Sequence, residues 1–168
     1  NVKRVRGGLV TPHLGRTIGK GQSVKIEGPF GGAFFKPGER GRLVLIGGGT
    51  GFAPVWSIAA AALAENFARP IVLLASARSR GAFYVNPALR LAARYPNVTT
   101  IACIEDYREA GGAFRGGGPL RHLPQLMASD TVHAAGAPAL VTAAGACADK
   151  VRAKFHADPF DCEPAPAG

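Results

Sequence analysis

The stretch Leu43-Val44-Leu45-Ile46-Gly47-Gly48-Gly49-Thr50-Gly51-Phe52-Ala53-Pro54 constrains this chain more than any other. Four β-favouring residues in a row predict a strand buried on both faces, the kind found in parallel sheets. The glycines end that strand, and a helix begins near Ala53. Gly47, Gly48, Gly49 and Gly51 lack Cβ atoms, so backbone N–H groups there can approach a ligand closely, and the helix adds the positive end of its dipole. A pyrophosphate suits such a loop; a tight strand-to-helix turn without a ligand is the alternative. Neither G-x-G-x-x-G nor G-x-x-x-x-G-K-S/T fits, because Phe52 stands where the last glycine of the first belongs and no lysine follows.

The rest of the chain bounds what surrounds that loop. Its 168 residues suffice for one well-cored domain, or one domain and part of another. A hydrophobic content of 47% with 18% charged residues excludes wholesale disorder. The longest apolar stretch, residues 52–64, is broken by Pro54 and Ser57 and falls short of the ~20 residues a membrane span needs. Cys103, Cys147 and Cys162 are odd in number and widely spaced, which argues against a disulfide framework or an iron-sulfur site and makes a cytoplasmic location the default expectation. The formal charge of +9 fits nucleic acid, an anionic cofactor or an acidic partner. Its cations are scattered and not interleaved with aromatics, so nucleic acid is not expected. His13, His122, His133 and His156 lack metal-ligand spacing and read as surface or structural; no metal is expected.

Residues 1–38 are rich in glycine and proline and carry one convincing strand, residues 23–27. Thr11 ahead of Pro12 predicts a capped short helix running to about Ile18, whose start is a second candidate anion site. From residue 42 strands and helices alternate. Strands are predicted at 42–46, 70–76, 98–104 and 131–135, with helices at 53–67, 85–95, 120–127 and 139–152 and a short fifth strand near 153–157. Such β-α units predict an α/β fold, a doubly wound parallel five-stranded sheet with helices on both faces. In the common strand order the first and fourth strands are neighbours at the switch point, which brings the turns after Ile46 and Ala135 to one crevice.

These residues resemble the ferredoxin-NADP reductase superfamily, in particular its bacterial oxygenase-reductase and ferredoxin-reductase branch. The resemblance rests on Gly47 to Pro54, on Glu27-Gly28-Pro29-Phe30-Gly31, and on Ala135-Gly136-Ala137-Pro138 with Leu140, in the family's order and spacing. It runs from about Gly7 to Phe160. It implies a flavin-binding β-barrel ahead of a nicotinamide-nucleotide domain, hydride transfer from NAD(P)H to FAD, and single electrons passed to an iron-sulfur or oxygenase partner. The implied domains are a barrel remnant at 1–38, antiparallel in character, an NAD(P)-binding domain at 39–160 and a mobile tail at 161–168.

By the same resemblance, Gly47, Gly48, Gly49, Thr50, Gly51 and Pro54 hold the NAD(P) pyrophosphate, with Thr50 near the nicotinamide ribose. Gly136 and Pro138 belong to the turn beside the reacting carbon. There Ala135 replaces the family's cysteine and removes a polarisable sulfur contact. Thr50 and Ala135 are therefore the candidate catalytic positions. Gly7, Gly8 and Thr11 match the flavin pyrophosphate motif. Arg78 and Arg80 follow the second strand, where two fixed cations suit a 2′-phosphate; NADH users of the branch also carry arginine there, and a solvated basic loop is the other reading. Phe160 resembles the near-terminal aromatic that lies against the flavin, with core packing as its alternative.

The family's isoalloxazine-binding strand belongs ahead of Gly7, so the chain is expected to begin within the barrel. Taken together, the expected function is NAD(P)H-dependent flavoprotein oxidoreduction, incomplete in this chain. The alternative is a non-catalytic nucleotide-binding or protein-docking module. An acidic electron-transfer partner would match the positive charge, and the truncated barrel edge at 23–27 predicts self-association.

Overall fold

The computed structural model describes residues 10–28 and 32–160. One six-stranded sheet, all parallel, dominates them: β1 (Leu43–Gly48), β2 (Ile71–Ala77), β3 (Val98–Ile104), β4 (Phe114–Gly116), β5 (Thr131–Gly136) and β6 (Lys154–Pro159). Their order is β4-β3-β2-β1-β5-β6. The chain winds outward from β1 in one direction as far as β4, then returns to pair β5 on the other side of β1. This is the doubly wound arrangement expected, and β1 and β5 are neighbours at its switch point.

Three helices cover the sheet: α1 (Phe52–Glu65), α2 (Asn86–Ala92) and α3 (Pro138–Lys150). Alternation along β1 divides the core. Leu43 and Leu45 pack with Phe52, Val55, Ile58, Ala59 and Ala62 of α1 and with Leu89 of α2. Val44 and Ile46 pack on the opposite face with Val141, Ala144 and Ala148 of α3. Both helix stripes follow the three- and four-residue spacing of one helical face. Each fully buried leucine or isoleucine of β1 contributes about 1.5–3 kcal/mol of transfer free energy. A strand apolar on both faces therefore belongs at the centre of the sheet.

At the opposite end from the loops, Arg42 clamps the strand starts. Its guanidinium donates to both carboxylate oxygens of Asp130, at 3.1 and 2.6 Å, and to the Gln125 carbonyl at 2.7 Å. The Asp130 side chain is fully buried and also accepts from the Met127 N–H at 2.8 Å. Residues 32–40 rest on this unit: Phe35 packs against the α1-side core, the Gly38 N–H donates to Glu65, and Lys154 pairs with Glu39 at 3.4 Å.

The structure corrects four expectations. The sheet has six strands, because the glycine-rich segment after β3 supplies β4. Gly116 and Gly117 make this possible, since a Cβ on either would strike the Tyr107 ring. The helix expected at 120–127 is a single 3-10 turn, Pro119–His122, followed by irregular chain. The helix expected after Thr11 is a series of turns in which the Thr17 and Ile18 N–H groups both donate to the His13 carbonyl. Gly15 interrupts it with φ +78°. Residues 23–27 make no ladder with any described segment, and Ile26 is 86% exposed. The barrel remnant expected over residues 1–38 lies partly outside the described residues, and those described there carry no strand. Gly7, Gly8, Pro29, Phe30, Gly31, Cys162 and the tail at 161–168 lie outside them.

Candidate functional site

The carboxyl ends of β1 and β5 interlock through glycine. A Cβ on Gly48 would stand 2.6 Å from Leu140 Cδ2, and one on Gly47 2.7 Å from the Phe52 Cα. A Cβ on Gly51 would overlap the Ala135 carbonyl. On the facing turn, Gly136 adopts φ +132° with its Cβ position 2.8 Å from the Gly48 oxygen. Gly47, Gly51 and Gly136 are held in close packing against backbone, and Gly48 against the Leu140 side chain. Gly49 differs. It has φ +54°, is exposed, and nothing lies within 4 Å of its Cβ position. A ligand can therefore approach the backbone at Gly49, and it is the one glycine of the loop whose missing side chain leaves a cradle.

Gly49–Gly51 form a 3-10 turn that runs into α1, so the loop's N–H groups precede a helix of 14 residues. Thr50 is half-buried within that turn. Pro54 sits in the first turn of α1, where its missing N–H costs nothing. Pro138 starts α3 in the same manner beside Gly136. Ala135 is 1% exposed and its methyl belongs to the α1-side core, so it offers its backbone, not its side chain, to the crevice. Phe160 donates its N–H to the Gly136 carbonyl at 2.7 Å and remains 37% exposed. It belongs to neither core cluster, so the site's mouth has an aromatic beside Gly136 that the core does not use.

The two arginines after β2 part company. Arg78 is exposed, and its side chain makes no hydrogen bond or ion pair among the described residues. Arg80 is occupied: its guanidinium donates to the Glu109 and Gly111 carbonyls, at 2.5 and 2.9 Å, and lies 5.0 Å over the Phe114 ring. Its backbone N–H donates to the Glu109 carboxylate at 2.6 Å. Arg80 thus holds the segment before β4 against the end of β2. Thr11 lies in a turn remote in sequence from this crevice, and its motif partners Gly7 and Gly8 are not among the described residues.

Sequence reasoning missed Tyr84, whose hydroxyl donates to the Gly49 carbonyl at 3.2 Å. Its ring lines a narrow crevice with Gly49, Phe52, Ser76 and Ala77. Nothing in Ala82-Phe83-Tyr84-Val85 marks it, because the contact joins residues 35 apart. Two of the histidines pack against each other. His133 is 2% exposed in mid-sheet, stacked on His156 at 4.5 Å, and desolvation with the nearby His156, Lys36 and Arg69 lowers its pKa to about 3. Burial lifts the Cys103 thiol to about 11, so it is inert at neutral pH. Among the described residues no group of three or more His, Cys, Asp or Glu converges on a metal position. No helix among them is long and apolar enough to cross a membrane.

A doubly wound parallel sheet with a glycine-rich turn at its switch point places this chain among the α/β proteins that bind ligands beyond the carboxyl ends of their strands. The family described as "Oxidoreductase NAD-binding domain" matches residues 45–145. The reductase component of the naphthalene 1,2-dioxygenase/salicylate 5-hydroxylase systems of a Ralstonia species is 35% identical over 95% of this chain and 50% of its own length. Reductase component 1 of a Comamonas terephthalate 1,2-dioxygenase is 29% identical over 98% of this chain and 51% of its own. Among solved structures, an Amycolatopsis cytochrome P450 reductase superposes with a TM-score of 0.76 at 29% identity, over 95% of this chain and 50% of that one. This chain belongs to the oxidoreductase NAD-binding domain family, within the oxygenase-reductase branch of the ferredoxin-NADP reductase superfamily. It spans about half the length of the curated relatives it matches.

Proposed function

We propose that this chain binds NAD(P)H at the β1–β5 crevice and forms the nucleotide-binding part of a flavoprotein reductase that passes electrons to an iron-sulfur or oxygenase partner. The observation that carries the reading is Gly49: a left-handed glycine at open space, in a loop whose other glycines are consumed by packing. The dinucleotide's pyrophosphate would lie against the backbone of Gly48, Gly49, Thr50 and Gly51, with favourable charge from the start of α1. Pro54, Gly136 and Pro138 set the shape of that cradle. Arg78 is the cation available to a 2′-phosphate, whereas Arg80 acts by holding the neighbouring loop. Phe160 covers the mouth from the β6 side. Thr50 remains the candidate nearest the nicotinamide, and the backbone at Ala135 closes the crevice behind it.

A bound nicotinamide supplies hydride, and FAD in the whole protein would divide it into single electrons. Thr11 would help to hold the flavin pyrophosphate, with its motif partners Gly7 and Gly8 outside the described residues. The domain division at 38/39, a cytoplasmic setting, an acidic partner and self-association through residues 23–27 belong to the same proposal. The exposed Val24 and Ile26 support the last of these.

Calorimetric titration with NADH and NADPH tests the reading. At least one should bind, and Gly49→Val should abolish binding while leaving the domain folded, since a branched side chain at φ +54° would fill the cradle. Absence of binding by the wild type would overturn it. The buried Ala135 methyl favours a second reading, a nucleotide-binding module without turnover. NAD(P)H oxidation with an artificial acceptor and added FAD separates the two.

A further inference from the structure

The Gly49 carbonyl accepts two hydrogen bonds, one from the Phe52 N–H and one from the Tyr84 hydroxyl at 3.2 Å. Both of its lone pairs are thus engaged. In a planar trans peptide the carbonyl of Gly49 and the N–H of Thr50 point in opposite directions. Fixing the oxygen toward Phe52 and Tyr84 therefore fixes the Thr50 N–H away from them. Glycine at φ +54° has no side chain to hold the peptide plane, and nothing lies within 4 Å of its Cβ position, so the two bonds to its carbonyl are direct restraints on that plane within the 3-10 turn.

Tyr84 is well placed to do this. Its neighbours Phe83 and Val85 are buried in the α1-side core, and Phe83 meets Phe114 edge-on at 5.0 Å. The backbone on both sides of Tyr84 is anchored while its ring crosses the crevice, 39% exposed. We propose that Tyr84 is a positioning residue for the dinucleotide: its hydroxyl locks the Gly49–Thr50 peptide so that an amide donor, and not a carbonyl oxygen, faces the pyrophosphate. A carbonyl turned toward the phosphates would repel them, so the lock raises affinity without touching the reacting ring. Partial burial raises the Tyr84 pKa above its ordinary value, which keeps the hydroxyl a donor throughout the neutral range.

This inference rests on the nucleotide-binding reading given above. Tyr84→Phe removes only the hydroxyl. Titration should show NADH and NADPH weakened by the same factor, about three- to ten-fold, the scale of one hydrogen bond. The carbonyl carbon of Gly49, followed by NMR in the free chain, should shift in the variant while the other carbonyls of β1 hold still. In the wild type, affinity should fall in strongly alkaline solution as the phenol ionises, and that limb should be missing from Tyr84→Phe. In the wild type alone the Gly49 carbonyl carbon should shift as the phenol ionises while the other carbonyls of β1 hold still, so this local signal decides the matter even where the variant fails to fold. Unchanged affinity in Tyr84→Phe, weakened affinity with an unmoved Gly49 carbonyl, or a wild type with no alkaline limb would each overturn the inference while leaving nucleotide binding intact. A wild type that binds neither nucleotide would overturn both.

Discussion

Gly136 lies against Gly48 across the switch point, so that a Cβ on the first would stand 2.8 Å from the carbonyl oxygen of the second. The turn after β5 and the loop after β1 are therefore one rigid body. Gly136→Ala should lower stability by about 2–4 kcal/mol, combining overpacking against backbone with a residue forced to positive φ. Gly49→Ala, with open space around it, should cost only the smaller conformational part. Denaturant titration of the two variants checks this, and equal losses would refute the division of the loop into packing and ligand-facing glycines.

Asp130 anchors the opposite end of the sheet. Its buried carboxylate accepts both Arg42 nitrogens and the Met127 N–H. Asp130→Ala leaves the Arg42 guanidinium without a counter-charge, held only by the Gln125 carbonyl, and should destabilise the chain by about 3–5 kcal/mol. Since the clamp is far from the loops, any surviving folded protein should keep its nucleotide affinity. A urea titration and a nucleotide titration of the same variant measure the two effects.

The two arginines after β2 should separate by cofactor. Arg78→Ala should weaken NADPH by about 1–3 kcal/mol and leave NADH nearly unaffected, the loss of a charge-assisted bond to the 2′-phosphate. Arg80→Ala should affect both nucleotides alike, because its guanidinium binds the Glu109 and Gly111 carbonyls and not open space. Parallel titrations with the two nucleotides decide it. A selective NADPH loss in Arg80→Ala would reverse the assignment.

His133 sets an acid limit. Its folded pKa of about 3 lies below the ordinary value of 6.5, so the unfolded chain binds a proton that the folded chain does not. Its contribution is intact above about pH 6.5 and is lost as pH falls toward 3, by about 1.4 kcal/mol per pH unit. Between about pH 7.5 and pH 5 the wild type should lose about 2 kcal/mol that His133→Leu does not. Unfolding curves at both pH values test the sign as well as the size.

Strands β1, β2, β3, β5 and β6 and helices α1, α2 and α3 were legible because their signals are local, whereas the helix expected at 120–127 is a 3-10 turn followed by irregular chain. An unbroken apolar run such as Leu43 to Ile46 can be buried only between two layers, and the helices that follow show one apolar stripe each. The strand order followed from the alternation, and the family motifs singled out the crevice. Expectations failed where local sequence was asked to stand for a missing partner. Residues 23–27 have strand composition, yet a strand needs a neighbour to accept its hydrogen bonds, and none of the described segments supplies one. The short strand Phe114–Gly116 lay hidden in a glycine-rich stretch because it is defined by pairing with β3, from Ala102 to Ile104, and not by a local apolar pattern.

The sequence by itself determined that a glycine loop ends a buried strand and opens a helix, which is a property of consecutive residues. Only the tertiary structure decided what each glycine does. Gly48 packs against the Leu140 side chain and Gly51 against the Ala135 backbone, both far along the chain, whereas Gly49 has no such neighbour. It also decided that Arg80 holds a loop while Arg78 stays available, and that Tyr84 reaches the Gly49 carbonyl. Hydrogen bonds and close packing act over a few ångströms of space whatever the separation along the chain, so they become readable only once the sheet has brought their partners together.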